Sequence, residues 1–166
     1  MKNILTAIAL TLAMPIVPGL ALSAEPEYTT IHMEIDVARP AKEVWAKIGK
    51  YCDITAWMSL ECKITSGDGG IGTVRSLGGG RIIEIMVAQT ELSYGYTQPV
   101  MEGKFYNLYH GFMEARPVTA RTSKMIYTLM YDLSDKADKT AKDADIAGRK
   151  TRFEGALANM KKIAEQ

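Results

Sequence analysis

Apolar and polar residues alternate from Tyr28 to Val37, with Ile31, Met33, Ile35 and Val37 on one side and Thr30, His32, Glu34 and Asp36 on the other. A period of two is that of a strand with one buried face. Pro40 then opens a helix at Ala41 that places Val44, Trp45 and Ile48 on one side and ends at Gly49. A second short helical piece, Tyr51 to Ala56, leads to Trp57, and Leu60 to Ser66 reads as the next strand. The stretch Ile71 to Val87, IGTVRSLGGGRIIEIMV, predicts two strands joined by Gly78, Gly79 and Gly80. Glu84 shares a strand face there with Ile82 and Met86, so it lies either on a solvated face or in an apolar cavity. Three further strands follow, roughly Leu92 to Gln98, Lys104 to Arg116 and Thr122 to Leu133, separated by Pro99 and Gly103 and by Pro117 to Ala120. From about Asp135 to Glu165 the period lengthens: Ile146, Phe153, Leu157, Met160 and Ala164 form one stripe of a long amphipathic helix. Gly155, inside that helix, either leaves room for the sheet or a ligand or is simply tolerated.

The first residues have another origin. Lys2, an apolar run from Ile4 to Leu22 broken by Pro15, Pro18 and Gly19, and the small residues Ala21, Ser23 and Ala24 form the pattern of a secretory signal peptide. A transmembrane anchor would want about 20 consecutive apolar residues without such breakers. We therefore expect a signal over residues 1–24, a single ligand-binding domain over 25–166, no integral membrane anchor after signal removal, and a periplasmic or secreted product. Lys and Arg total 20 against 19 Asp and Glu, and loss of Lys2 leaves the mature chain balanced. No basic cluster argues for nucleic acid. An exported location permits a disulfide between the only cysteines, Cys52 and Cys62, the alternative being two buried thiols. Gly67, Gly69 and Gly72 spell GxGxxG, but Thr73, Val74 and Arg75 continue as strand instead of opening a helix, so no dinucleotide site is expected. Two separated histidines offer no metal cluster. Neither a GxSxG elbow nor a cysteine–histidine signature marks a hydrolase.

Eight tyrosines stand against three phenylalanines and two tryptophans. An apolar body with a polar tip suits a pocket that orients an aromatic or amphipathic ligand, although tyrosines also rim ordinary β cores. The order strand, two short helices, six-strand meander and long helix resembles the START-like superfamily in its polyketide cyclase/dehydrase branch, related to plant abscisic acid receptors and class 10 pathogenesis-related allergens. The resemblance rests on ARPAKEVWAKIGKYCDITAW (Ala38 to Trp57), GIGTVRSL (Gly70 to Leu77), the glutamate of IIEIM (Ile82 to Met86), YGY (Tyr94 to Tyr96) and FEGALANMKKI (Phe153 to Ile163). It implies an α+β helix-grip fold: a curved antiparallel sheet of about seven strands around a long C-terminal helix, with two short helices between the first two strands. It also implies that Glu84 points into the cavity, that Tyr106 faces it from another strand, and that Arg75 binds ligand or holds the adjacent glycine loop. The chain departs from relatives at Trp57, Met58 and Ser59 and at Met101 to Lys104.

If Tyr106 points inward, strand parity puts Lys104, His110 and Phe112 on the same face. Glu84, Lys104 and Tyr106 are then candidate catalytic residues, with Glu84 as base and Tyr106 or Lys104 stabilising an oxyanion or protonating a leaving group. Arg75, Tyr94, Tyr96, His110, Tyr127 and Tyr131 are candidate ligand contacts. Cyclisation, dehydration and carbon–carbon cleavage need only these parts, so no cofactor is called for. The plainer readings are that Lys104 snorkels to solvent or pairs with Glu84, and that His110 is an ordinary sheet histidine. Two functions follow: a lyase or cyclase acting on an aromatic or polyketide-like compound, and a carrier or sensor of a hydrophobic ligand or lipid. A catalyst should bring Glu84 together with Lys104 or Tyr106, whereas a carrier's polar groups should already pair among themselves.

Overall fold

A computed structural model describes residues 25–99 and 108–166. The signal segment, Lys104 and Tyr106 lie outside the described residues. The elements are β1 (Tyr28–Val37), α1 (Ala41–Ile48), α2 (Ile54–Met58), β2 (Cys62–Ser66), β3 (Val74–Leu77), β4 (Ile82–Thr90), β5 (Ser93–Thr97), β6 (Tyr109–Pro117), β7 (Ser123–Asp132) and α3 (Lys139–Glu165). All seven strands join one antiparallel sheet in the order β1-β7-β6-β5-β4-β3-β2. Each strand from β3 onward pairs with its predecessor in the chain, and β1 pairs with β7, so β2 to β7 form a meander with β1 and β2 at opposite edges. This is the helix-grip architecture expected from the sequence.

Alternation puts Ile31, Met33 and Val37 of β1 and Met125, Tyr127, Leu129 and Tyr131 of β7 on the covered face. There they meet Phe153, Ala156, Leu157, Met160 and Ala164 of α3, a stripe at helical spacing. The short helices fill one end, where Val44, Ile48 and Trp57 are fully enclosed. A shift in register between Met86 and Ala88 breaks the β4–β5 ladder, and such bulges increase local twist and bend a sheet. Asp138 caps α3 by accepting from the Ala141 amide at 2.8 Å. Of the described helices, none is long and apolar enough to cross a membrane.

Two open expectations are resolved. Cys52, in the turn before α2, and Cys62, at the start of β2, form a disulfide with their Cα atoms 5.5 Å apart. Gly155 is exposed, and a Cβ built on it would meet nothing within 4 Å, so it leaves room for neither sheet nor ligand. The GxGxxG glycines lie in the connection from β2 to β3, with positive φ at Gly67, Gly69 and Gly72, and no helix begins there.

Gly155→Ala should raise stability by about 1 kcal/mol in chemical denaturation, because the glycine's extra unfolded-state freedom is removed and no contact is disturbed. Replacing both cysteines with serine should cost about 2–3 kcal/mol, the loop-closure value for a cross-link of this span, seen as a shift of the denaturation midpoint.

A candidate ligand-binding cavity under the C-terminal helix

The hairpin of β3 and β4 sets the polar centre of the interior. Counting equally back from its glycine turn, Leu77 faces Ile82 and Arg75 faces Glu84. Cross-strand partners stand close enough for their side chains to meet, and both of these point inward, Arg75 with no exposure and Glu84 with 4 %. Arg75 donates to one oxygen of Glu84, Oε2, from Nε at 2.8 Å and from Nη2 at 2.6 Å. Its Nη1 donates to the Tyr51 carbonyl. The guanidinium carbon lies 4.1 Å from the centroid of the Tyr51 ring and 5.1 Å from that of Tyr96, so the cation is enclosed by aromatic faces as well as by its carboxylate. Among the described residues the other carboxylate oxygen, Oε1, has a single long contact, 3.4 Å from Gln98 Nε2.

Glu84 and Gln98 both belong to the wall of a cavity of about 190 Å³. Ile54, Met58, Leu60, Leu77, Ile82 and Phe153 supply apolar lining; Tyr96, Gln98 and Tyr109 supply polar tips; Arg149 and Arg152 of α3 stand on the helix side. A second, more open cleft of about 670 Å³ lies between the end of α1 and the β2–β3 glycine turn. Tyr51 lines that cleft and stacks on Arg75, while Glu84 lines the inner cavity. The Tyr51–Arg75–Glu84 assembly is therefore the partition between the two hollows.

Tyr94, Tyr96, Tyr127 and Tyr131, the tyrosines expected as ligand contacts, are all buried on the inner face. Tyr96 and Tyr127 share a hydrogen bond of 2.8 Å between their hydroxyls. Gly111, opposite Tyr96 on β6, makes this possible: a Cβ there would fall 2.2 Å from the Tyr96 ring. Of the four, only Tyr96 reaches the wall of the inner cavity. The hydroxyls of Tyr94 and Tyr131 have no hydrogen-bond partner among the described residues. Burial pushes the Tyr96 and Tyr127 hydroxyls well above the ordinary tyrosine range, and pushes Tyr109 up to about 12 against the pull of Arg149. These tyrosines are donors at neutral pH and not bases. Burial also raises the Glu84 carboxyl, with Arg75 opposing that rise.

His110 requires a correction. It was expected on the inward face of its strand with Phe112, but the inward residues of β6 are Tyr109, Gly111, Met113 and Ala115. His110 points outward between Thr97 and Met130, and Phe112 is 36 % exposed. The expectation carried an unbroken alternation back to Tyr106, whereas β6 begins only at Tyr109, so that alternation had nothing to fix its phase. Pairing of Glu84 with Lys104 was one alternative, and Lys104 lies outside the described residues; among these the partner of Glu84 is Arg75. Tyr51, Gln98, Tyr109, Arg149 and Arg152 were missed. Arg149 had a readable signal, since it precedes Phe153 by four residues and so falls on the buried stripe of α3. Tyr51 had none, because its carbonyl and its ring meet Arg75 only once the turn before α2 packs against β3. No group of three or more potential metal ligands converges among the described residues.

A family model described as polyketide cyclase / dehydrase and lipid transport matches residues 28–165, and the chain belongs to that family. No curated protein matches the sequence. Among solved structures, it is similar to the ZhuI aromatase/cyclase from Streptomyces sp. R1128, at 15 % identity and TM-score 0.63 over 84 % of this chain and 94 % of that one. The norcoclaurine synthase of Thalictrum flavum, in complex with dopamine and hydroxybenzaldehyde, matches at 16 % identity and TM-score 0.60 over 90 % and 95 %. Protein XoxI from Bacillus cereus matches at 21 % and 0.61 over 81 % and 93 %. At such identities the likeness is one of fold. Family and fold together define a cyclase-like or ligand-binding protein.

Arg75→Met should cost about 3–5 kcal/mol near neutral pH, since it strands a buried carboxylate. Without its counter-charge Glu84 titrates still higher in the folded state than in the unfolded chain. A raised folded value means that stability is retained below the unfolded value, near 4.5, and is lost as pH rises through the folded one. The deficit relative to wild type should therefore shrink at acid pH and grow toward pH 8, read from urea midpoints across that range.

Proposed function

We propose that this chain is an exported protein that binds a small hydroxylated aromatic molecule in the cavity under α3, with the ligand hydroxyl donating to Oε1 of Glu84. The observation that carries the reading is the division of labour within one carboxylate: Oε2 is taken twice by Arg75, whereas Oε1 has, among the described residues, only the long contact to Gln98, and Glu84 lines the cavity. Arg75 opposes the effect of burial on Glu84 by favouring its ionised form, and an ionised carboxylate is a strong acceptor in a site where water is scarce. Two interior pairs, Arg75 with Glu84 and Tyr96 with Tyr127, are made within the protein and support a binder, while the Tyr94 and Tyr131 hydroxyls stay unpartnered among the described residues. Support comes also from the phenolic ligands of the norcoclaurine synthase structure. The Cys52–Cys62 disulfide supports an oxidising compartment, in keeping with the signal pattern at the N-terminus.

A second reading has its own observation. Burial raises the Glu84 carboxyl, and a raised carboxylate facing a substrate hydroxyl or acidic C–H is a competent general base. In that case the protein is a cofactor-independent lyase or cyclase in which Glu84 takes the proton. Lys104 and Tyr106 remain candidates for the accompanying acid or oxyanion donor.

The test uses 4-hydroxybenzaldehyde and benzaldehyde as calorimetric probes, followed by mass analysis after incubation with a panel of hydroxylated aromatics. The phenol should bind about tenfold more tightly than its unhydroxylated analogue, the margin of a charge-assisted hydrogen bond over none. That margin should narrow in Glu84→Gln, with thermal melting used to establish that the variant is folded. Equal binding of the two probes would sink the proposal. Conversion of a panel member by wild type and not by Glu84→Gln would establish the enzyme, whereas binding without conversion would establish the carrier.

A further inference from the structure

The cavity under α3 is polarised from end to end. At its inner end the charge of Glu84 is matched by Arg75. On the helix side stand two guanidinium groups, Arg149 and Arg152, three residues apart on α3 and therefore neighbours on its surface. Asp145 offsets the first, with Arg149 Nε 2.7 Å from its Oδ2. Arg152 is exposed and makes no ion pair with a described residue. Arg152 is thus the guanidinium of the inner cavity's wall whose charge is not offset by a described residue, whereas the adjoining recess adds Asp132, Asp135 and Lys136.

The position of Arg149 is fixed in advance. Its guanidinium carbon stands 4.4 Å from the centroid of the Tyr131 ring and 5.3 Å from that of Tyr109, and Asp145 holds it from the preceding turn. An outer recess of about 240 Å³ shares Gln98, Tyr109 and Arg149 with the inner cavity, so the two hollows adjoin at this side chain. A molecule whose ring fills the inner cavity would have its other end beside Arg149 and Arg152. Guanidinium forks suit planar carboxylates, and a cation already held in place gives up little freedom on binding. The inner volume is below the ~300–1,000 Å³ of sites for drug-sized ligands, which restricts the ring system to one ring.

We propose that the ligand is a monocyclic aromatic hydroxy acid, its hydroxyl directed at Glu84 and its carboxylate held at the mouth by Arg152 and Arg149. This rests on the reading that Glu84 accepts a ligand hydroxyl, and the experiment separates the two ends.

Binding of 3-(4-hydroxyphenyl)propanoate, its amide, and 3-phenylpropanoate is measured by calorimetry at low and at physiological salt. Wild type, Arg152→Gln, Arg152→Lys and Arg152→Glu are compared, each verified as folded by thermal melting. On wild type the hydroxy acid should bind at least tenfold more tightly than the amide at low salt. The ratio should fall to within threefold in Arg152→Gln, recover in part in Arg152→Lys, and reverse in Arg152→Glu. If the acid and its amide bind equally while loss of the hydroxyl still weakens binding, the carboxylate assignment is overturned and the Glu84 reading stands. If the acid is preferred and the hydroxyl makes no difference, the mouth assignment stands and the Glu84 reading falls. Absence of binding by all three probes overturns both.

Discussion

A bidentate ion pair between Arg75 and Glu84, sealed between aromatic rings, is the interaction on which the interior depends. Two charges withdrawn from water cost several kcal/mol each, and mutual attraction recovers that only with good geometry and with the remaining donors and lone pairs occupied. Here Arg75 meets the condition through the Tyr51 carbonyl and through the faces of Tyr51 and Tyr96. The requirement propagates outward. Tyr51 must stay where the turn between α1 and α2 places it, and Cys52, the next residue, is tied to β2 by the disulfide. The covalent bond and the ion pair thus secure the same corner of the molecule, one from the surface and the other from within.

The same pair decides what the cavity can do. Both Arg75 donors that reach Glu84 go to one oxygen, and among the described residues the other has only the long contact to Gln98. An interior with all its polar groups paired would hold any greasy molecule of suitable size. An unpaired carboxylate would instead take up a proton, because burial favours its neutral form. The half-occupied carboxylate lies between these limits and favours a ligand that brings its own donor. The tyrosines around it are held protonated by burial, so they add hydrogen-bonding tips without adding charge.

Much of this was legible in the chain. The alternation in β1 and in the β3–β4 hairpin, the Pro40 start and Gly49 end of α1, and the stripe from Phe153 to Ala164 each identified an element, because a buried face imposes its period on the sequence. Glu84 was recognisable as a carboxylate among apolar neighbours, and its resemblance to a cavity glutamate matched the orientation found. His110 was misplaced because a parity argument needs a phase, and a strand's first residue is where its phase is least determined. Arg75 was noticed as a ligand contact or a support for the glycine loop, although counting symmetrically from the glycine turn would have set it opposite Glu84.

By itself, the sequence determined the order and type of the elements, the inward direction of most apolar side chains and the family to which the chain belongs, since these follow from local period and from turn chemistry. Only the tertiary structure decided that Cys52 meets Cys62, that Arg75 takes one oxygen of Glu84 and leaves the other, that Tyr96 crosses Gly111 to reach Tyr127, and that Arg149 and Arg152 flank the cavity. Each of these joins residues from different elements, or depends on how a side chain is directed once those elements pack. Residue spacing within an element fixes a face, whereas distance between elements is set by the twist of the sheet and by the bulk of what lies between.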